Sequence, residues 1–293
     1  MSQFDHQAMC RNFNRKIKVL TLSQETADQL LERLQLIKQQ PKSILDLGCG
    51  TGEFTYRLSK LYPKAKVVGL DIAEQRLKHA KKQRPWFNKT RFMSGNIESL
   101  AFPDNSFDLI VSNLSLYWVK DLNQAFKEIQ RVLKPEGVLL FSSLGPDTLM
   151  ELRESFAQID NKPHVNVFLD MHDVGDALLK AGLKDPVMDV ETLTEQYSSL
   201  LDLLKELHDS GEGNAHAERS KGLMGKLALR KLESYYERYR SHFEKLPATF
   251  EVIYGHALGT EMLSKLENGE VHIPLSKIGI KSTPPSFSKG GNQ

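Results

Sequence analysis

From Lys42 onward the chain alternates short apolar runs with stretches in which apolar residues recur every three or four positions. The runs read SILDL (43–47), KVVGL (66–70), TRFMS (90–94), FDLIVS (107–112) and GVLLFS (137–142). Helical spacing occupies 53–61, 73–84, 121–133 and 147–159 between them. Apolar strands alternating with helices predict an α/β fold, a parallel sheet with helices on both faces. In such a sheet ligands meet the carboxyl ends of the strands.

The flanks are less regular. Ser23 reads as the N-cap of a helix over 23–39, with Ala27, Leu30, Leu31 and Leu34 at helical spacing. Helices are predicted over 171–181 and 198–208, a strand over 187–197, a polar loop over 209–222 and a charged helix over about 225–242. Pro247 precedes TFEVIYGHA, a strand placed to close the sheet. The stretch after about 267 is rich in Lys, Ser, Pro and Gly and reads as loosely ordered.

Composition narrows the class. The chain has 293 residues, 40% hydrophobic and 26% charged, as in a globular protein. A net charge of +2 offers no concentrated basic surface of the kind nucleic-acid binding needs. No apolar run is long enough to span a membrane, and the N-terminus lacks a secretory apolar core. The only cysteines are Cys10 and Cys49, which points to a reducing compartment and a cytoplasmic protein. Cys49 reads as a small buried filler. His164, His172 and His256 are too scattered for metal-ligand spacing and read as structural or substrate-contact residues.

The candidate chemistry begins with ILDLGCGTG, where Asp46 ends the first strand and Gly48, Gly50 and Gly52 follow. Glycines permit a sharp turn and close approach of a ligand to the backbone. A triphosphate loop needs Lys-Ser/Thr after its last glycine, whereas Glu53-Phe54 follows here. A pyrophosphate would be repelled by Asp46 and Glu53. A donor carrying an ammonium and a sulfonium would be attracted, so S-adenosyl-L-methionine is the expected cofactor. Asp71, ending VVGLD, is placed to take both ribose hydroxyls, although a helix cap is another use for it. Ile72 then lies beside the adenine, with Asn96 at its edge and Ile97 on its face. Asn113, at the end of the fourth strand, faces the methionine part or makes a turn.

LDLGCGTG, VVGLD, the loop at Asn96, FDLIVSNLSLYWV and LKPEGVLLFS together resemble class I methyltransferases over about 35–145. The implied organisation is an N-terminal helical cap (1–40) and a Rossmann-like cofactor-binding core (41–145). Acceptor-site helices, a lid and a closing strand follow in a mainly helical lobe (146–260), then a tail (261–293). Further text, from RNFN through SSLGPDTLMELRESF, HVNVFLDMHDVGDALLKAGL, GEGN and RSKGLMGK to LPATFEVIYGHALG, is similar to the malonyl-acyl-carrier-protein O-methyltransferases of biotin synthesis.

That resemblance implies esterification of the free carboxylate of malonyl-acyl-carrier protein, or of malonyl-CoA. An ionised carboxylate needs no general base. A cation is implied to hold it, with Arg153 the candidate clamp, and Tyr117 and Trp118 walling the acceptor pocket. Phe168 and His164 fall in a lid segment. Arg219, Lys221, Lys226, Arg230 and Lys231 offer a basic rim for an acidic carrier, or a solvated helix face. A monomer acting on neither nucleic acid nor membrane is expected. Such enzymes often carry a tyrosine shortly after the RNFN stretch, where this chain reads NRKIKVLTL. The hydroxylase-like assembly factors of respiratory complex I share the GPDTLMELR-like and PATF-like text, so that family is the alternative.

Overall fold

The computed structural model describes residues 4–84, 88–222 and 224–261. Its strands are β1 (Ser43–Leu47), β2 (Lys66–Asp71), β3 (Arg91–Ser94), β4 (Phe107–Ser112), β5 (Leu133–Leu144), β6 (Lys184–Tyr197) and β7 (Leu246–Leu258). Its helices are α1 (His6–Arg15), α2 (Thr21–Leu36), α3 (Glu53–Leu61), α4 (Glu74–Gln83), α5 (Leu122–Val132), α6 (Met150–Ala157), α7 (Met171–Lys180), α8 (Leu200–Ser210) and α9 (Lys226–Tyr236).

Neighbouring residues of each central strand serve different cores. Ile44, Val111 and Leu140 pack with α2, α3, α6 and α8 on one face. Leu45, Ile110 and Leu139 pack with α5 and α7 on the other. Both faces of the strands are therefore apolar, because side chains alternate across a sheet that helices cover on each side. The α/β sheet with helices on both faces has the order β3-β2-β1-β4-β5-β7-β6.

β1 to β5 run parallel. The register places Leu47 opposite both Leu70 and Ser112, so β1, β2 and β4 end side by side. The glycine loop, Asp71 and Asn113 are delivered to one edge as a result.

Three expectations change. β7 does not close the sheet: it lies antiparallel between β5 and β6, and β6 forms the edge. β7 is buried along most of its length, whereas outward positions of β6, Val187 and Val190 among them, stay exposed. Ser23 is not an N-cap. Helix α2 starts at Thr21, and Glu206 of α8 caps it by accepting the Thr21 N–H (2.9 Å) and hydroxyl (2.6 Å). The charged helix ends at Tyr236 and continues as a 3-10 turn, Glu237–Tyr239. Met1–Thr260 is one compact unit. The expected loose tail lies outside the described residues. Among the described residues no helix is long and apolar enough to cross a membrane.

Candidate active site

The turn after β1 has all three glycines at positive φ: 71° at Gly48, 52° at Gly50 and 83° at Gly52. They differ in what they face. A Cβ on Gly48 would lie 2.2 Å from the Ser115 Cβ, and one on Gly52 would lie 2.8 Å from the Phe92 ring. Those two are small because the fold packs onto them. Gly50 meets nothing nearer than the Arg76 Nη1 at 3.8 Å, so its backbone is the part left bare to a ligand.

Asp71 holds the loop shut. Its Oδ2 accepts the Gly50 N–H at 2.8 Å and its Oδ1 accepts the Ala73 N–H at 2.7 Å. The Ile72 N–H also bonds this carboxyl, and since a carboxylate has about four lone-pair sites these bonds do not saturate it. The turn role of Asp71 therefore leaves it able to accept from a ligand as well.

The loop opens onto a cavity of about 410 Å³, in the range of small-molecule sites. Asp46, Asp71, Ile72, Asn96, Ile97 and Asn113 all line it, as do the three glycines' neighbours Cys49 and Thr51. Burial raises the Asp46 carboxyl to about 7, against a lowering hydrogen bond from the Thr55 hydroxyl at 2.6 Å. Burial raises Asp71 as well. Two acids whose ionised forms are desolvated favour a cation that restores their charge.

The two asparagines behave differently. Asn96 Oδ1 accepts the Glu98 N–H at 3.0 Å, which builds the turn and leaves the amide NH₂ for a ligand edge. Asn113 spends its amide on structure. Its Oδ1 accepts the hydroxyls of Thr26 (2.8 Å) and Ser142 (2.6 Å), and its Nδ2 donates to the Ser23 carbonyl (2.8 Å). It fastens α2 to the strand ends beside the cavity.

Several wall residues carry no sequence signal. The first is α1, where His6, Met9, Cys10 and Phe13 face the cavity. The N-terminal segment is tied to the loop after α8: Asp5 N–H donates to the Ala215 carbonyl (2.8 Å), and Arg219 pairs with Asp5 (3.0 Å). Val19, in the stretch without a tyrosine, also lines the cavity. The second is Arg76 of α4. Its Nε donates to the Lys16 carbonyl (3.1 Å), its Nη2 to the Ser210 carbonyl, and it lies 4.4 Å over the Phe13 ring. The third is Glu212, which burial pushes up to about 7 and which accepts the Tyr117 hydroxyl at 2.8 Å. Arg76 on a basic helix and Glu212 in a polar loop look like any solvated charge until the fold brings them together.

Trp118 lines the cavity at the glycine loop, packed on Phe4 (5.1 Å) and edge-on to Phe13 (5.3 Å). It is buried, and its indole N–H lies beside the Tyr117 hydroxyl and the Glu212 carboxyl. Tyr117 lines a separate cavity of about 180 Å³, where it meets Phe168 edge-on (5.4 Å). Phe168 and His164 belong to a segment fastened down by Asn166 and Asn214, through the Ala215 N–H (3.0 Å) and the Pro163 carbonyl (2.7 Å). His164 stacks on Phe156 and bonds Asp160 (2.8 Å).

Arg153 is not brought to these residues. Its Nη2 donates to the carbonyls of Pro146 (2.6 Å) and Thr148 (2.7 Å), pinning the turn between β5 and α6, and the guanidinium lines neither cavity. Cys10 and Cys49 are both free thiols. The Cys49 sulfur fills the space above Gly69, and burial, then Asp71 and Asp46, push its thiol well up. That is the filler role.

An acid-flanked bare loop, two isoleucine plates and a free amide fit an adenosine bearing a cationic amino-acid chain. Residues 45–141 match the family described as methyltransferase domain. Over 254 residues the chain is 48% identical to malonyl-[acyl-carrier protein] O-methyltransferase 1 of Coxiella burnetii, covering 86% of each protein. The malonyl-[acyl-carrier protein] O-methyltransferase of Halorhodospira halophila is 40% identical over 94% of this chain and 96% of its own length. The Bacillus subtilis protein YcgJ superposes with a TM-score of 0.57 at 18% identity, over 79% of this chain and 98% of that one, which shows the shared fold. The assembly-factor alternative finds no support in these relatives. The protein is an enzyme of the methyltransferase class with S-adenosyl-L-methionine as its cofactor, and the chain belongs to the malonyl-[acyl-carrier protein] O-methyltransferase family.

Proposed function

We propose that the enzyme esterifies the free carboxylate of malonyl-acyl-carrier protein, with malonyl-CoA as its small counterpart, early in biotin synthesis. The observation that carries this reading is the acid-flanked donor cavity in a chain 48% identical to a relative of that name. When bound, S-adenosyl-L-methionine supplies a methyl group on a positively charged sulfur.

The chain's own residues bind, orient and exclude water. Asp71 takes ribose hydroxyls on its spare lone pairs. Ile72 and Ile97 flank the adenine, and Asn96 donates to its edge. Asp46 and the loop carbonyls face the cationic chain, and Asn113 holds the α2 wall in place. Tyr117 and Trp118 separate donor from acceptor space.

The acceptor is ionised at neutral pH, so no residue has to remove a proton. With S-adenosyl-L-methionine bound, a carboxylate oxygen would take the methyl group as the sulfur–methyl bond broke, its electron pair remaining on sulfur. Opposite charges vanish together, which a water-poor site favours, and alignment is the main demand on the protein.

The reading includes a cytoplasmic monomer that acts without nucleic acid or membrane. An acidic carrier would meet the exposed Lys221, Lys226, Arg230 and Lys231. Arg219 is committed to Asp5 and stands outside that set. The test is transfer of labelled methyl to purified malonyl-acyl-carrier protein. A methyl ester is expected; tight cofactor binding with no ester would overturn the reading.

A further inference from the structure

With Arg153 bound to backbone carbonyls, the acceptor's charge lacks a partner, and three cavities compete to receive it. The first is the cofactor cavity. The second, of about 40 Å³, lies between α6 and α8 and is bordered by Glu212. It has room for little more than a water or two, and Glu212 would repel a carboxylate there. The third, of about 180 Å³, lies beyond Tyr117.

The third cavity is apolar apart from Lys120, Ser143 and the Tyr117 hydroxyl, and that hydroxyl is committed to Glu212. Its rim includes Val167 and Leu169, which are 50% and 46% exposed. Singly exposed valines and leucines are ordinary, but this pair borders a hollow lined by Leu122, Phe126, Phe141 and Phe168. Val119 and Lys120 are the residues it shares with the cofactor cavity. Lys120 is exposed and lies within electrostatic reach of His6 and Cys10 of α1.

We infer that Lys120 is the acceptor-carboxylate residue, at the junction between the donor cavity and an apolar channel that takes the acyl thioester and its arm. This deepens the proposed reaction and rests on it. Charge decides the direction. Lys120 marks the third cavity as the carboxylate's side, and Glu212 marks the second as closed to it.

An exposed ammonium also suits the chemistry. It attracts the charged acceptor yet releases the neutral ester, whereas a buried bidentate arginine would hold the ground state too tightly. Lys120 therefore acts on binding more than on the transfer step.

The test compares wild type with Lys120→Met and Lys120→Arg, using malonyl-acyl-carrier protein and its methyl ester. For K120M, KM for the malonyl form is expected to rise about ten- to hundredfold, the scale of one charge-assisted hydrogen bond. The change in kcat should be small, K120R should recover most of the affinity, and cofactor affinity should not move. Inhibition by the methyl ester should be equally strong in wild type and K120M, because the ester carries no charge for Lys120 to hold. An unchanged KM in K120M, or equal weakening of malonyl and ester forms, overturns the inference. If wild type itself makes no ester, the proposed function fails and not this assignment.

Discussion

The Gly50 N–H donates to the Asp71 carboxylate across 2.8 Å, so the end of β2 sets the shape of the loop that follows β1. Under the proposed function, removing Asp71 does two things at once: it takes away the acceptor assigned to the ribose and frees the bare stretch of the loop at Gly50. Asp71→Ala is expected to weaken cofactor binding by about 3 kcal/mol, the top of the range for a hydrogen bond to a charged group. Asp71→Asn keeps one carbonyl oxygen and should lose less. Titration calorimetry separates them, and unchanged affinity in Asp71→Ala would remove the ribose assignment.

Asp46 predicts how pH acts on the empty and loaded enzyme. Its folded-state value near 7 lies above the ordinary 3.8, so the folded protein binds more protons than the unfolded chain between those values. Stability from this group is present below about pH 4 and is lost as pH rises through about 7. The cationic cofactor prefers the ionised form, so its affinity should rise with pH through the same region, with proton release on binding. Asp46→Asn should raise the melting temperature of the free enzyme at pH 8 by about 2–6 °C while weakening the cofactor. Melting scans with and without cofactor at pH 6 and 8 check both signs.

Arg76 links α4 to the carbonyls that end α1 and α8, Lys16 and Ser210. Arg76→Met should loosen the roof, leaving two carbonyls and the buried Glu212 without their cation, at a cost of about 1–3 kcal/mol. Faster amide exchange over 5–16 and 208–219, with weaker cofactor binding, is the expected result. Exchange unchanged in those segments would mean that the roof is held by other contacts.

Arg153 separates two placements of the acceptor. Its guanidinium is occupied by Pro146 and Thr148. Arg153→Ala should destabilise by about 1 kcal/mol and leave cofactor affinity unchanged. Its effect on acceptor KM should be far smaller than that of Lys120→Met. A larger effect would return the carboxylate clamp to Arg153.

Glu206 caps α2 from another helix. Glu206→Ala should cost about 1–2 kcal/mol, as loss of an N-cap does, measured by urea unfolding. Ser23→Ala should cost far less, because the Ser23 side chain makes no cap.

Period and punctuation alone determined the order of β1 to β5 and their helices, the loop at Gly48–Gly52 and the acids at Asp46 and Asp71. Each of those depends on residues close in the chain: a side chain alternates across a strand or recurs on a helix whatever the rest of the protein does. The tertiary structure decided where β7 inserts, which glycine is bare, and what Asn113 and Arg153 are tied to. It also gathered α1, Arg76, Lys120 and Glu212 around the two cavities. A charge in a helix or loop reads the same whether it meets water or a cavity, and only the folded chain, by desolvating it and supplying a partner, makes the difference.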